Sequence, residues 1–166
     1  MLDLACGRGR HMRWFAQRGH RVLGVDRWSE ALAVAAQFGE VLLADLESGA
    51  WPLPDERVSD GVRTFDAVLV TNYLWRPLLD KVRASVGVGG LLIYETFASG
   101  NETVGKPSRA DFLLQPGELL QLCQGLHVVA YECGFLAAPD RFVQRIAAVR
   151  PAAADAQAAP ARYPLD

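Results

Sequence analysis

One stretch decides the fold of this chain: Leu2-Asp3-Leu4-Ala5-Cys6-Gly7-Arg8-Gly9. Its leucines and its alanine are typical of a buried strand in a parallel sheet. Gly7 and Gly9 allow the backbone to turn tightly, and they allow a ligand to approach where a Cβ atom would clash. From Arg10 onward the apolar residues follow a helical spacing. A strand, a glycine turn and a helix at the carboxyl edge of a parallel sheet together indicate a nucleotide or nucleoside site.

Two acids follow this stretch at the ends of the next two apolar runs. Asp26 ends the run at 21–25, and Asp45 ends the run at 41–44. An acid at the end of the second strand is placed to bind ribose hydroxyls, and an acid at the end of the third can receive the exocyclic amine of adenine. A dinucleotide fingerprint needs a third glycine where Met12 stands, so the pattern disfavours a nicotinamide cofactor.

These residues resemble the cofactor motifs of class I S-adenosylmethionine-dependent methyltransferases. Residues 2–9 are similar to motif I, Asp26 to the ribose-binding acid, and Asp45-Leu46 to the adenine-binding pair. The resemblance extends from residue 1 to about residue 150 and points toward small-molecule or tellurite-resistance-like bacterial enzymes. It implies S-adenosylmethionine as the cofactor, with Asp3 near the positively charged end of that molecule. The cofactor-binding residues that it implies are Asp3, Ala5, Cys6, Gly7, Gly9, Asp26, Arg27, Asp45, Leu46 and Asn72.

Apolar runs alternate with helical segments along the chain, which predicts a doubly wound α/β sheet of parallel strands. Helices are expected at 10–18, 30–38, 77–86 and 117–123. Apolar segments at 126–133 and 142–149 flank a Pro-Asp turn and predict an antiparallel hairpin at the sheet edge. The expected fold is therefore Rossmann-like, a mostly parallel seven-stranded sheet with an antiparallel last strand. The family has the same reversed strand.

Polar residues on the substrate side follow the strands expected at 65–70 and 91–97. Asn72 and Tyr73 lie across the topological switch point, where a doubly wound sheet delivers residues into its crevice. This position is similar to motif IV of the family, but it lacks the Asn/Asp-Pro-Pro-Tyr/Phe form of enzymes that methylate amino groups of nucleic acids. Tyr73 and Glu95 are the candidate catalytic residues. Tyr73 also fits simple packing, and a thiol or soft anion as acceptor needs no general base.

The loop at 98–116 is long for a compact domain. Loops of that length are usually lids, binding loops or disordered segments. Its apolar end, Phe112-Leu113-Leu114, favours an ordered lid. Four polar residues in it are candidate substrate contacts, with a solvated surface as the alternative: Asn101, Glu102, Lys106 and Arg109.

Composition limits the class of protein and its partners. The chain has 166 residues, 51% of them hydrophobic, and a net charge of −2, which fits one soluble domain and disfavours non-specific binding to nucleic acid. Three irregularly spaced cysteines fit reduced thiols in the cytoplasm. The three histidines show no ligand spacing, so no metal is expected; His11 alone lies near the glycine turn. No apolar run approaches the ~20 residues of a membrane helix.

The organisation of the chain leaves three functions open. Residues 1–150 are expected to form the methyltransferase domain, and the Ala/Pro-rich residues 151–166 a disordered tail. The first strand starts at Met1, whereas the family usually has one or two cap helices before motif I. We therefore expect either a start upstream of Met1 or a domain without that cap, and a homodimer contact over the bare surface stays open. The functions are methyl transfer to a small or medium acceptor, cofactor binding without turnover, and NAD-dependent oxidoreduction. Met12 and the predicted hairpin argue against NAD-dependent oxidoreduction.

Overall fold

The computed structural model describes residues 1–54, 61–152 and 162. The strands are β1 (Leu2–Leu4), β2 (Leu23–Asp26), β3 (Glu40–Leu43), β4 (Phe65–Thr71), β5 (Val86–Phe97), β6 (His127–Leu136) and β7 (Arg141–Val149). The helices are α1 (Arg10–Ala16), α2 (Ser29–Ala35), α3 (Leu79–Ala84) and α4 (Glu118–Leu122), with short 3₁₀ turns at Arg76–Leu78, Asn101–Thr103 and Ala110–Phe112. None of the helices in this part of the chain is long and apolar enough to cross a membrane.

The seven strands form one sheet in the order β3-β2-β1-β4-β5-β7-β6. Strands β1 to β5 pair in parallel, and β7 runs antiparallel to both of its neighbours. The chain winds outward from β1 to β3 and then crosses back to β4, so the topological switch point lies between β1 and β4. The predicted doubly wound, mostly parallel sheet with an antiparallel last strand is confirmed.

Two apolar clusters pack on opposite faces of this sheet. Leu2 and Leu4 of β1 join the larger cluster, which includes Val82 of α3 and Leu119 of α4. Strand side chains alternate between faces, so Asp3 points to the other face, the one that α1 and α2 cover. The smaller cluster on that face comprises Cys6, Met12, Val22, Leu32 and Ala35.

Met12 and Gly24 explain how the sheet accommodates α1 without a third glycine in the turn. Met12 is fully buried. A Cβ atom added at Gly24 would overlap the Met12 sulfur and lie 2.7 Å from the Cys6 Sγ atom. The close approach of helix and strand is therefore provided by a glycine in β2 beneath a flexible methionine, whereas the dinucleotide pattern places the glycine in the helix.

Several element boundaries differ from the predicted ones. The helix predicted at 77–86 is a 3₁₀ turn followed by α3, which ends at Ala84 because the Ser85 carbonyl accepts the Phe65 N–H at 2.8 Å. The chain joins the sheet directly afterwards, since Val86 pairs with Phe65. Strand β5 therefore begins five residues before the predicted 91, with a register shift opposite residues 65–67.

The loop between β5 and α4 is ordered, as predicted. Asn101 is 1% exposed, donates to the Pro107 carbonyl at 3.0 Å and accepts the Phe142 N–H at 3.1 Å. The Arg76 guanidinium donates to the Leu113 carbonyl at 2.8 Å. Asn101 therefore ties the loop both to itself and to β7, and a lid role for the loop stays a prediction.

Candidate functional site

A cleft of about 140 Å³ opens at the carboxyl ends of β1, β2 and β3, beside the switch point. Six of the residues predicted to form the site line this cleft: Ala5, Asp26, Arg27, Asp45, Leu46 and Tyr73. Trp28, Ala44 and Glu47 complete its lining. The acids at the ends of two neighbouring parallel strands therefore meet at one opening, as the strand order requires.

Asp26 ties the glycine bend to the end of β2. One carboxylate oxygen accepts the Gly7 N–H at 2.8 Å, and the other accepts the Trp28 N–H at 2.9 Å. The residue is 7% exposed. A carboxylate offers about four lone-pair positions, so two stay available to ligand hydroxyls in the cleft.

The bend itself consists of residues in left-handed backbone conformations. The φ angles of Ala5, Gly7 and Gly9 are 53°, 54° and 77°. The predicted strand includes Ala5, but β1 ends at Leu4 because the chain reverses at Ala5 to form the bend. A Cβ atom on Gly9 would lie 3.0 Å from the Ala35 backbone, so Gly9 also brings α1 close to α2.

Ala5→Gly is expected to raise the free energy of unfolding by about 0.5–1 kcal/mol. A left-handed backbone costs an L-residue about 1–2 kcal/mol, and the greater unfolded-state freedom of glycine offsets part of that gain. Urea unfolding checks the value. Ala44→Gly is the matched control, because Ala44 lines the same cleft without a positive φ and should lose stability. Equal destabilisation by both substitutions would contradict strain at Ala5.

Asp3 lies behind the bend as a buried acid without a partner. It is 1% exposed, and neither carboxylate oxygen has a hydrogen-bond partner among the described residues. Burial raises its pKa to about 7, Asp26 adds to the rise, and the Met12 backbone and Arg10 lower it by less. A buried acid with two unfilled acceptors favours a cationic or hydrogen-bond-donating group next to it.

Asp45 and Tyr73 line the part of the cleft that follows β3 and β4. Asp45 accepts the Glu47 N–H at 2.9 Å, and this bond, with one from Ser48, lowers its pKa. The Tyr73 hydroxyl is buried without a partner among the described residues, and burial with the nearby Glu47 and Asp45 charges raises its pKa. The hydroxyl therefore keeps its proton and can donate a hydrogen bond into the cleft.

Asn72 and Glu95 lie outside this lining, on the neighbouring strand ends. Asn72 is exposed, has φ of 53°, and donates its N–H to the Glu95 carbonyl at 2.9 Å. Glu95 belongs to a row of polar side chains that crosses four strands in register, with Thr71 on β4, Arg145 on β7 and Glu132 on β6. The Arg145 guanidinium is 3.7 Å from the Glu95 carboxylate and also pairs with Glu132.

His11 extends this row from α1. The Arg10 Nη2 atom lies 3.1 Å from His11 Nε2. Because a guanidinium can only donate, Nε2 accepts this bond, and the ring proton is on Nδ1, which faces Thr71 Oγ1 at 3.4 Å. Burial and then Arg10 lower the His11 pKa, while Glu95 opposes them. The sequence signal for His11 was its position after the glycine turn. Thr71 and Arg145 carried no comparable signal, because their place depends on the sheet register.

Cys6 packs in the small apolar cluster beneath α1, and its contact with a cofactor stays a prediction. Its N–H donates to the Val25 carbonyl at 3.1 Å, and its thiol lies in the small cluster beneath α1. Burial raises the pKa of the thiol to about 12, so it stays protonated.

A larger cavity of about 600 Å³ lies at the opposite edge of the sheet, around Met1, Arg21 and Arg63. It is lined by the amino ends of β1, β2 and β4 and by the residues after α1. Ligands of doubly wound sheets bind outside the carboxyl ends of the strands, so the smaller cleft with its converging acids is the candidate site.

Comparisons with known proteins identify the class to which this fold and cleft belong. The model of the family described as the methyltransferase domain matches residues 2–92, more than half of the chain, so the chain belongs to this family. A comparison with curated protein sequences found no match.

Solved structures with this fold include S-adenosylmethionine-dependent methyltransferases, and together with the family match they confirm the resemblance. TehB from Haemophilus influenzae is 16% identical with a TM-score of 0.70, over 90% of this chain and 57% of that one. A TehB-like SAM-dependent methyltransferase from Corynebacterium glutamicum is 19% identical with a TM-score of 0.61, over 89% of this chain and 78% of that one. The N-methyltransferase NodS from Bradyrhizobium japonicum is 16% identical with a TM-score of 0.66, over 91% and 85%. This chain thus spans little more than half the length of the TehB chain.

Proposed function

We propose that the protein binds S-adenosylmethionine in the carboxyl-edge cleft and directs its methyl group to a small or medium acceptor in the cytoplasm. The observation that carries this proposal is the pairing of two buried acids across one glycine bend. Asp26 holds the bend and opens into the cleft, and Asp3 lies behind the bend with neither oxygen hydrogen-bonded by another described residue. We assign the methyltransferase domain to residues 1–150.

The donor set fits an adenosyl sulfonium. The free lone pairs of Asp26 suit the ribose hydroxyls, and Asp45 with the Leu46 backbone suits the adenine edge. The Tyr73 hydroxyl, which has no partner in the part of the chain that the structure describes, can donate to the same nucleoside. Asp3 suits the positively charged end, because a nearby anion offsets a buried cation.

Methyl transfer asks the protein mainly for positioning and for exclusion of water. Bound S-adenosylmethionine supplies a methyl group that its sulfonium makes electrophilic. The bend at Gly7 and the Asp26 carboxylate orient the nucleoside. Glu95 and Tyr73 remain the proposed catalytic residues, with Glu95 better suited to take a proton because Tyr73 holds its own. Asn72 follows β4 at the switch point, where we expect it to contact S-adenosylmethionine or the methyl acceptor.

Two other functions fit the site less well. Cofactor binding without turnover needs the same cleft, so only a transfer assay separates it from catalysis. A nicotinamide enzyme needs close helix packing at a third glycine, and Met12 occupies that position over Gly24. A homodimer and a small-molecule acceptor are further parts of our proposal.

Calorimetric titration of the chain with S-adenosylhomocysteine and with NAD tests the binding step. We expect one equivalent of S-adenosylhomocysteine to bind with micromolar affinity, about −8 kcal/mol, and NAD to bind at least about 100-fold more weakly. Tritium transfer from methyl-labelled S-adenosylmethionine to a panel of thiols, amines and chalcogen oxyanions tests turnover. Tighter binding of NAD would contradict the proposal. Binding without transfer to any acceptor would favour the non-catalytic alternative.

A further inference from the structure

Charge is strongly segregated along this chain. Residues 4–25 contain no acid and five arginines, at positions 8, 10, 13, 18 and 21, all of them exposed. The chain as a whole has a net charge of −2, so the remaining residues carry −7 against the +5 of this segment. The overall charge therefore hides a segment of the chain, including α1, whose charged side chains are all basic.

The outward face of α1 combines these charges with an exposed aromatic ring. Arg10, Arg13 and Trp14 follow the i, i+3, i+4 spacing that places side chains on one helix face, and Arg18 comes four residues after Trp14. Trp14 is 49% exposed. The Arg18 guanidinium lies 3.6 Å from the Trp14 ring centroid and donates to the Trp14 carbonyl at 3.0 Å.

Among the residues that the structure describes, the arginines of this segment have no carboxylate partners. None of the five forms an ion pair within residues 1–54, 61–152 and 162, whereas Arg27, Arg76, Arg83, Arg109 and Arg145 all do. Arginines without a carboxylate partner attract solvent anions, and the counterions of a polyanion would be released when these arginines bind it.

We propose that this basic face, formed by Arg10, Arg13, Trp14 and Arg18, binds single-stranded nucleic acid. Trp14 with its stacked guanidinium offers a flat surface for an unstacked base, and the neighbouring arginines suit phosphates. A duplex keeps its bases stacked and cannot use the ring. This inference does not depend on the cofactor cleft.

A membrane surface fits the same face less well. A helix that lies in a membrane interface buries a continuous apolar side among the lipids. Here the apolar side of α1 belongs to the protein core, since Met12 is fully buried and Phe15 packs against the same cluster. On this face, Trp14 is the apolar side chain that remains for contact with lipid, and a membrane interface needs a continuous apolar side. A single ring next to arginines is sufficient for stacking with a base.

Fluorescence anisotropy of a labelled 20-nucleotide oligouridylate, titrated with the full chain, tests the proposal. We expect binding whose log–log salt dependence has a slope of about −2 to −3, as about 0.7 ions released for each of three to four phosphates requires. Arg13→Gln with Arg18→Gln should weaken binding at least about tenfold, and Trp14→Leu at least about fivefold, in line with the loss of one stacked base.

The matched control is Lys81→Gln with Arg83→Gln, which removes the same charge from α3, on the face of the sheet opposite to α1. It should change the affinity less than about twofold, because screened charges act locally. Circular dichroism of each variant verifies that the fold is retained. An equal loss in both double variants, an unchanged affinity in Trp14→Leu, tighter binding of duplex, or preferential binding to anionic phosphatidylglycerol vesicles would each overturn the proposal.

Discussion

Asp26→Asn is expected to weaken the binding of S-adenosylhomocysteine by about 100-fold and to lower the free energy of unfolding by about 2 kcal/mol. The carboxylate accepts the Gly7 and Trp28 N–H groups at 2.8 and 2.9 Å, in a site that is 7% exposed. An asparagine has the same shape but only one acceptor oxygen. Its amide would face one of these N–H groups and leave that donor buried without a partner, and ribose hydroxyls would lose a charged acceptor.

Two measurements separate these effects. Urea unfolding without ligand measures how much the Asp26 hydrogen bonds stabilise the bend. Calorimetry with S-adenosylhomocysteine measures the contribution of Asp26 to nucleoside binding. Asp140→Asn is the control, because Asp140 is exposed in the turn between β6 and β7. Lower stability with unchanged affinity would contradict the proposed role of the cleft. Unchanged stability would contradict the role of Asp26 in holding the bend.

Local pattern was sufficient to predict the sheet and the meeting of two acids at its carboxyl edge. Alternating strands and helices with short connections require parallel pairing, which brings the carboxyl ends of β1, β2 and β3 to one edge. The acids that follow the second and third strands, Asp26 and Asp45, therefore had to meet there. Their predicted place in one cleft is what the structure contains.

Features that depend on register or on backbone reversal could not be predicted in this way. Ala5 is apolar and fits a strand, and only the bend in three dimensions forces its φ to 53°. Glu95 was expected to act at the end of β5, but its neighbours Arg145 and Glu132 come from a hairpin more than thirty residues later. Pairing over such separations is set by the packing of whole strands, so the row that His11 joins had no sequence signature.

Asp3 is expected to make the stability of the ligand-free protein fall as the pH rises from about 4 to about 7. Its pKa is about 7 in the folded chain and 3.8 in the unfolded chain, and burial is the main cause of the difference. Between these values the folded state holds a proton that the unfolded state has lost, so raising the pH favours unfolding. The loss reaches at most about 4 kcal/mol and is complete above pH 7.

Asp3→Asn should remove this pH dependence, because the amide does not titrate. Urea unfolding of both proteins at pH 4.5, 6 and 8 gives the comparison, and we expect the variant to be the more stable protein at pH 8 by a few kcal/mol. Asp66→Asn, an exposed substitution on β4, should behave like the wild type. If the free energy of unfolding changes with pH in the same way in wild type and Asp3→Asn, the raised pKa of Asp3 is contradicted.

The same variant tests why a protein would keep so unfavourable a residue. If the Asp3 carboxylate compensates the sulfonium, Asp3→Asn should reduce the preference for S-adenosylmethionine over S-adenosylhomocysteine by about tenfold, because only the former carries that charge. Calorimetry with both molecules at pH 8 measures the ratio. An unchanged ratio would place the sulfonium away from Asp3. If Asp3→Asn is more stable than the wild type but has the reduced affinity ratio, the wild-type carboxylate lowers stability and improves recognition of a cation. Such a loss of stability at a binding site is common in proteins.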